Sequence, residues 1–445
     1  MTNFGLSDLV NDDKFTKVNP SDTLAINERI KAMRAEGMDV THFGFGQSPF
    51  PPHAEVILSF QNNALRSTYD PVKGRPELCA LFESRFELGA YSGTLLDRIS
   101  TLYVGKDGTR NPYQAYVAPG SKTSQYALFS AIANLRLLLP EASWVSYQPA
   151  AKLNGASITS LPTGYANGWK LKAADLVEGL KDVTEDETAL LVLNSPSNPT
   201  GAIYTDQELS DIADVCRKND VLVLSDEIYA GLSFSGECPS ISSHYPEGTL
   251  VSSGIAKEVG AGGYRLGYLL IPDNLKALQT SYLGIASEMY SSVVCASQEA
   301  SIAAYTSKAV QIDIRQRAAF LDHVSQVVFD TLQEAGLLLV KAEGGFYNLV
   351  DFSPYAKALE AKGITTSKDL CALLLKDARV ALLHGEPFGV SAAHFSARLA
   401  YVDFDGKAVL ESMVDGMSVE DAYAKHCGSM NDGLQRLADY FKDLS

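Results

Sequence analysis

No run of the sequence approaches the roughly 20 consecutive apolar residues that a helix needs to cross a bilayer. A membrane-spanning helix is therefore not expected. Basic tracts are missing too. Lys and Arg number 37 against 53 Asp and Glu, for a net charge of −16, which argues against a nucleic-acid partner. Cysteine is scarce: Cys79, Cys216, Cys238, Cys295, Cys371 and Cys427 are scattered and form no CxxC pair. That pattern fits reduced thiols in a cytoplasmic protein better than the disulfide framework of a secreted one. Cys238 and His244 are close enough to form half of a metal site, but no second pair accompanies them, and a metal centre needs three or four ligands. No metal is expected. The opening MTNFGLSDLVNDDKF lacks the basic head and apolar core of a signal peptide. Internal repeats and low-complexity tracts are also lacking. The glycines of VGAGGYRLG have the wrong spacing for a dinucleotide-binding GxGxxG turn.

What is present reads as an ordinary globular chain of 445 residues, 46% hydrophobic and 20% charged. That length allows two or three domains, or one large α/β domain with an appendage. The middle of the chain alternates strand and helix. TALLVLN (188–194) is a short apolar run of buried-strand type, and SPSNPTG breaks it with turn formers. The helix that follows places Leu209, Ile212, Ala213 and Cys216 on one face. Thr205 and Glu208 form a capping box at its start. VLVLSDE (221–227) and TLVSS (249–253) read as two further strands. Strand–helix–strand units of this kind imply right-handed crossovers and a largely parallel sheet. Ligands gather at the carboxyl ends of such strands, where Asn198, Asp226 and Lys257 all fall. In the C-terminal third, SKDLCALLLKDA and the stretch from Asp405 onward read as helical. GGFYNLVDF and SARLAYVDF read as strands of a smaller α+β unit.

Four motifs then stand in one order: APGSKTSQYAL, SPSNPTG, SDEIY and SSGIAKEVGAGGYRLGY. Together they resemble the fold-type I, class I/II aminotransferases, over a region from about Pro20 to about Asp403. The resemblance implies an α/β fold. Its large domain (51–305) would hold a mostly parallel, seven-stranded sheet flanked by helices. Its small α+β domain would combine residues 1–50 with residues 306–445. It implies pyridoxal 5′-phosphate as cofactor, and an amino acid and a 2-oxo acid as substrates. A homodimer is implied as well.

The resemblance also gives each matching residue a role. Lys257 would form the Schiff base with the cofactor aldehyde and then shuttle the proton between the substrate Cα and the cofactor. Asp226 would pair with the protonated ring nitrogen and keep the ring an electron sink. Alternation along the strand sends the adjacent Glu227 to the opposite face. Asn198 and Tyr229 would donate to the cofactor's phenolate oxygen. Arg265 would take the phosphate in its guanidinium fork. Gly120, Ser121 and Lys122 would complete the cradle at a helix N-terminus. Trp144 would stack on the ring, and Tyr69 would reach the phosphate of the neighbouring subunit. Arg398 would bind the substrate carboxylate, with Asn198 and the backbone of Gly46 beside it.

The chain departs from the family pattern in four ways, the first being the segment FGFGQSPF around Gly46, which differs from the usual GEPDF-like text. Ala256 and Gly254 stand where relatives often carry serines, leaving Ser253 as the nearest hydroxyl. The stretch between Leu78 and Tyr116 is longer than usual, as is the tail after Arg398. A lyase or decarboxylase using the same cofactor is the alternative activity, because it would share Lys257, Asp226 and Arg265. A cofactor-binding regulator is disfavoured, since no room for a DNA-binding module precedes Pro20.

Overall fold

The computed structural model describes residues 22–87 and 113–444. The start of the N-terminal segment and most of the long stretch after Leu78 lie outside them. The described residues contain twelve strands. They are β1 (Thr41–His42), β2 (Tyr113–Ala118), β3 (Leu135–Pro140), β4 (Ser157–Leu161), β5 (Thr188–Asn194), β6 (Leu222–Asp226), β7 (Thr249–Gly254), β8 (Gly267–Pro272), β9 (Tyr347–Asp351), β10 (Val380–Ala381), β11 (Leu383–His384) and β12 (Ser396–Ala400). Seven of them form the main sheet, in the order β2-β8-β7-β6-β5-β3-β4. β8 runs antiparallel to both its neighbours, and the remaining pairs are parallel. This is the mostly parallel sheet that the strand–helix alternation implies.

Strand alternation divides the apolar side chains between two helical layers. Leu190, Leu224 and Leu250 face one side, with Leu128 of the helix Ser121–Ala131 and Tyr282 of the helix Lys276–Tyr290. Leu191 and Val223 face the other, against Leu209, Ile212, Ala213 and Cys216 of the helix Asp206–Lys218. That helix begins with the expected capping box: the Thr205 hydroxyl accepts from the Glu208 amide, and the Glu208 carboxylate accepts from the Thr205 amide. A cap of this kind stabilises a helix by about 1 kcal/mol.

The C-terminal third forms the antiparallel sheet β11-β12-β9. It carries the expected helix Ser367–Asp377, the short helix Ala356–Ala361, and, in the expected helical stretch from Asp405 onward, the helices Gly406–Val414, Val419–His426 and Gly428–Lys442. β1 pairs in parallel with β10, Thr41 opposite Val380, so residues early in the chain pack with this third. The helix Lys308–Glu334 leads into it and buries Phe320, Leu321, Val324 and Val328 in one cluster with Phe346, Val350 and Leu399.

Candidate active site

The sheet brings most of the singled-out residues to one edge. Asp226 ends β6, Asn198 lies four residues beyond β5, Lys257 three beyond β7, and Gly120 two beyond β2. Arg265 precedes β8, whose reversed direction brings its start to that same edge. In a parallel sheet this carboxyl edge is where ligands bind.

Alternation fixes how Asp226 is held. It shares a face with Leu224, where the helix Ser121–Ala131 supplies Gln125. Gln125 Nε2 donates to Asp226 Oδ2 at 2.8 Å, and the Tyr147 hydroxyl donates to the same oxygen at 2.7 Å. Oδ1 receives only the Ile228 amide, at 3.4 Å. Asp226 is 3% exposed. Burial raises it above the ordinary carboxylate value, while Tyr147, Gln125 and Lys257 pull in the other direction. Glu227 turns to the other face, where the Ser225 and Ser240 hydroxyls donate to Oε1 and burial pushes its carboxyl up to about 7. The two carboxylates therefore lie on opposite faces, as alternation along the strand implies.

Lys257 opens no helix; it sits in a turn after β7. Its Nζ donates to the Gly46 carbonyl at 2.7 Å and lies 5.6 Å from the ring centres of both Tyr229 and Phe346. Burial lowers its amine to about 7. Arg398, Arg265 and Lys122 lower it too, against the opposing pull of Asp226.

Arg398 lies on β12, 1% exposed. Nη1 donates to Asn198 Oδ1 at 3.2 Å and Nη2 to the Gly44 carbonyl at 2.8 Å. The guanidinium is flanked by the rings of Tyr347 and Phe388, 4.7 and 5.1 Å away, and Nε has no partner. Asn198 Nδ2 reaches toward the Tyr229 hydroxyl at 3.5 Å. That hydroxyl is 2.9 Å from the hydroxyl of Tyr347, which donates to the Gly46 carbonyl at 3.2 Å. Position 46 must be glycine, because a Cβ there would lie 2.1 Å from the Tyr347 hydroxyl oxygen.

Gly120 stands at φ +89°, ahead of the helix Ser121–Ala131. A Cβ on it would lie 2.4 Å from Arg265 Nη2, and a Cβ on Gly267 would lie 2.2 Å from the Ser121 amide nitrogen. Two glycines thus let the turn, β8 and the guanidinium close together. The amides of Ser121 and Lys122 precede the first hydrogen bond inside the helix. Arg265 donates to the Gly262 carbonyl at 2.9 Å. Burial and Arg265 lower the Lys122 amine, which lies 5.1 Å from the centre of the Trp144 ring. Trp144 is half-buried and meets Tyr147 edge to face.

Four basic groups, Lys122, Lys257, Arg265 and Arg398, thus share one site with a single buried aspartate, in a chain of net charge −16. Arg398 forms no ion pair with a carboxylate among the described residues. A buried guanidinium without a counter-charge is costly, so the site calls for anions. A phosphate dianion at the glycine turn and a substrate carboxylate at Arg398 meet that demand. Asp226 Oδ1 is left as an acceptor for a protonated ring nitrogen. The residues therefore fit pyridoxal phosphate.

Two singled-out residues stand apart. Tyr69 is 88% exposed. Ser253 spends its hydroxyl on the Glu227 carbonyl, at 3.2 Å. Cys238 and His244 belong to no metal-binding group among the described residues. Sequence reasoning missed Gln125, Tyr147, Asn194 and Tyr347. Asn194 Nδ2 donates to the Asp226 carbonyl at 2.8 Å, and its Oδ1 accepts from the Asn198 amide, so it ties the two loops together. Its place directly before SPSNPTG was the one available signal.

Known proteins resemble this chain over most of its length. The profile of the family "Aminotransferase class I and II" matches residues 85–403. An asparagine–oxo-acid transaminase of Streptococcus mutans is 31% identical, over 85% of this chain and 91% of its own length. An aspartate aminotransferase of Bacillus subtilis is 29% identical, over 84% and 91%. Among solved structures, the aspartate aminotransferase from Thermus thermophilus with maleate superposes with a TM-score of 0.76 at 25% identity, over 96% of this chain and 98% of that one.

Proposed function

The chain belongs to the class I and II aminotransferases and is a pyridoxal-phosphate-dependent amino-acid aminotransferase, and from that premise we propose that Lys257 carries the cofactor and Arg398 the substrate carboxylate. The observation that carries this reading is a fully buried arginine with no carboxylate of its own, joined through Asn198, Tyr229 and Tyr347 to a lysine lowered to about 7.

When bound, pyridoxal phosphate supplies an aldehyde for amines to condense with, and a ring that takes up electrons as a proton leaves the substrate Cα. The chain's residues do the rest. Lys257 has an amine lowered to about 7, so near neutrality a large share of it is free to take that proton and return it. Asp226, anchored through Oδ2 by Tyr147 and Gln125, offers Oδ1 to the ring nitrogen. Arg265 and the amides of Ser121 and Lys122 hold the phosphate. Trp144 covers the ring, and Asn198 and Tyr229 hold its hydroxyl oxygen. Arg398, with Asn198 and the Gly46 backbone alongside, orients each amino acid or 2-oxo acid by its carboxylate.

Three further parts belong to this reading. The active unit is a homodimer in which Tyr69 reaches the partner's phosphate. This is supported by a tyrosine left 88% exposed and by the neighbouring exposed Leu65, at 96%. The location is cytoplasmic, supported by six buried free thiols. The large domain runs from 51 to 305, and residues 1–50 join 306–445 in the small one, supported by the pairing of β1 with β10.

The test is the half-reaction. Loaded protein given an L-amino acid without acceptor should change its absorbance once and release the matching 2-oxo acid. The names of the relatives make L-aspartate and L-asparagine the first donors to try. Lys257→Ala should abolish the change, and wild-type turnover by that variant would overturn the assignment.

A further inference from the structure

The direction of the hydrogen bonds between Arg398 and Lys257 turns on where Tyr347 places its proton, and the contact with the Gly46 carbonyl gives it one direction. The Gly46 carbonyl can only accept, and both Lys257 Nζ and the Tyr347 hydroxyl donate to it, at 2.7 and 3.2 Å. Tyr347 has a single proton. With that proton on Gly46, the 2.9 Å contact between the two hydroxyls must be made by the proton of Tyr229. Asn198 Oδ1 accepts from Arg398, which leaves Nδ2 to donate toward the Tyr229 oxygen. Donation therefore runs from Arg398 through Asn198, Tyr229 and Tyr347 to Gly46, where Lys257 meets it from the other side.

We propose that Tyr347 is a further positioning residue of the aminotransferase site, one that competes with the cofactor for the Tyr229 proton. The proposal rests on the reading that Tyr229 faces the cofactor's hydroxyl oxygen. Tyr347 suits the task by its place as well as its hydroxyl. It is the first residue of β9, 1% exposed. Its ring is held against the Arg398 guanidinium at 4.7 Å, and its hydroxyl lies where any side chain at position 46 would have to be. The charged groups around the two phenols are Arg398 from β12, Lys257 after β7 and Asp226 from β6. While Tyr347 holds the Tyr229 proton, less of that proton is available to the cofactor. A substrate that draws Arg398 or Lys257 changes one end of the same line.

The test is a pH titration of the bound cofactor's absorbance in four proteins: wild type, Tyr229→Phe, Tyr347→Phe and the double variant. Tyr229→Phe should raise the midpoint, because an oxyanion without its donor binds protons more tightly. Tyr347→Phe keeps the ring against Arg398 and frees the Tyr229 proton. It should lower the midpoint by about 0.5–1 pH unit, the scale of one hydrogen bond. The double variant should behave as Tyr229→Phe alone, since Tyr347 acts only through Tyr229. An unchanged or raised midpoint in Tyr347→Phe overturns the proposal, as does a double variant in which the two shifts add. If the wild type shows no pH-dependent band that Lys257→Ala abolishes, the assignment of Lys257 falls and this inference falls with it.

Discussion

Replacing Arg398 with lysine keeps a positive charge on β12 but removes the planar fork. In the structure the guanidinium spends Nη1 on Asn198 Oδ1 and Nη2 on the Gly44 carbonyl, and it is flanked by the rings of Tyr347 and Phe388. Its unpartnered Nε and the remaining Nη protons are what a carboxylate would use. An ammonium has three donors and no plane, so it cannot hold both acceptors and grip a carboxylate with two parallel bonds. The loss is one charge-assisted hydrogen bond to the substrate, worth about 1.5–3 kcal/mol. That corresponds to roughly a 10- to 150-fold fall in affinity. The same arginine meets the amino acid in one half-reaction and the 2-oxo acid in the other. The fall should therefore appear in kcat/KM for every donor and every acceptor, measured by steady-state kinetics across a panel of each. A fall restricted to one substrate would refute the reasoning and place Arg398 in a side-chain pocket.

Three other outcomes follow from the same geometry. Asp226→Asn keeps the shape but not the charge, and should slow transamination by about 10²-fold, the scale of a lost preorganised electrostatic partner; a near-normal rate in a stopped-flow half-reaction would mean that the ring nitrogen has another partner. The Lys257 amine is lowered to about 7, so it is protonated and unreactive below that value. Cofactor uptake by cofactor-free protein should therefore rise with pH around a midpoint of about 7 and level off above it, whereas a midpoint near the ordinary lysine value of about 10.4 contradicts the lowered amine. Mixing a Tyr69→Ala chain with a Lys257→Ala chain should restore activity, because a mixed dimer holds one site with both residues intact; no recovery despite subunit exchange would place Tyr69 in its own chain's site.

Much of this molecule is legible in the sequence, and the residues that are not share a physical reason. TALLVLN and VLVLSDE are buried on both faces, so their apolar runs mark them as strands of a covered sheet. Thr205 and Glu208 announce a helix because a capping box is local. Asn198, Asp226 and Lys257 fall at or just past expected strand ends, and the family resemblance gives them, and Arg265, their roles. Gln125, Tyr147 and Tyr347 are different. Their partners lie 101, 79 and 118 residues away, and only the strand order brings them together. GGFYNLVDF is readable as a strand, but nothing in its alternation says that its tyrosine meets the tyrosine of SDEIY. Glu227 shows the opposite case: period-2 alternation alone separates it from Asp226, and the structure puts the two carboxylates on opposite faces of the sheet. The exposure of Tyr69 has no local explanation either, since its proposed contact lies on another chain.

The central claim is that Lys257 holds the cofactor, and borohydride reduction tests it most directly. Reducing the loaded protein should fix the cofactor covalently to a single lysine, and peptide mass spectrometry should place the added mass on the peptide containing Lys257. Lys257→Ala treated in the same way should carry no label. A label on Lys122, the other lysine of the site, or on any lysine still labelled in the Lys257→Ala protein, would contradict the account.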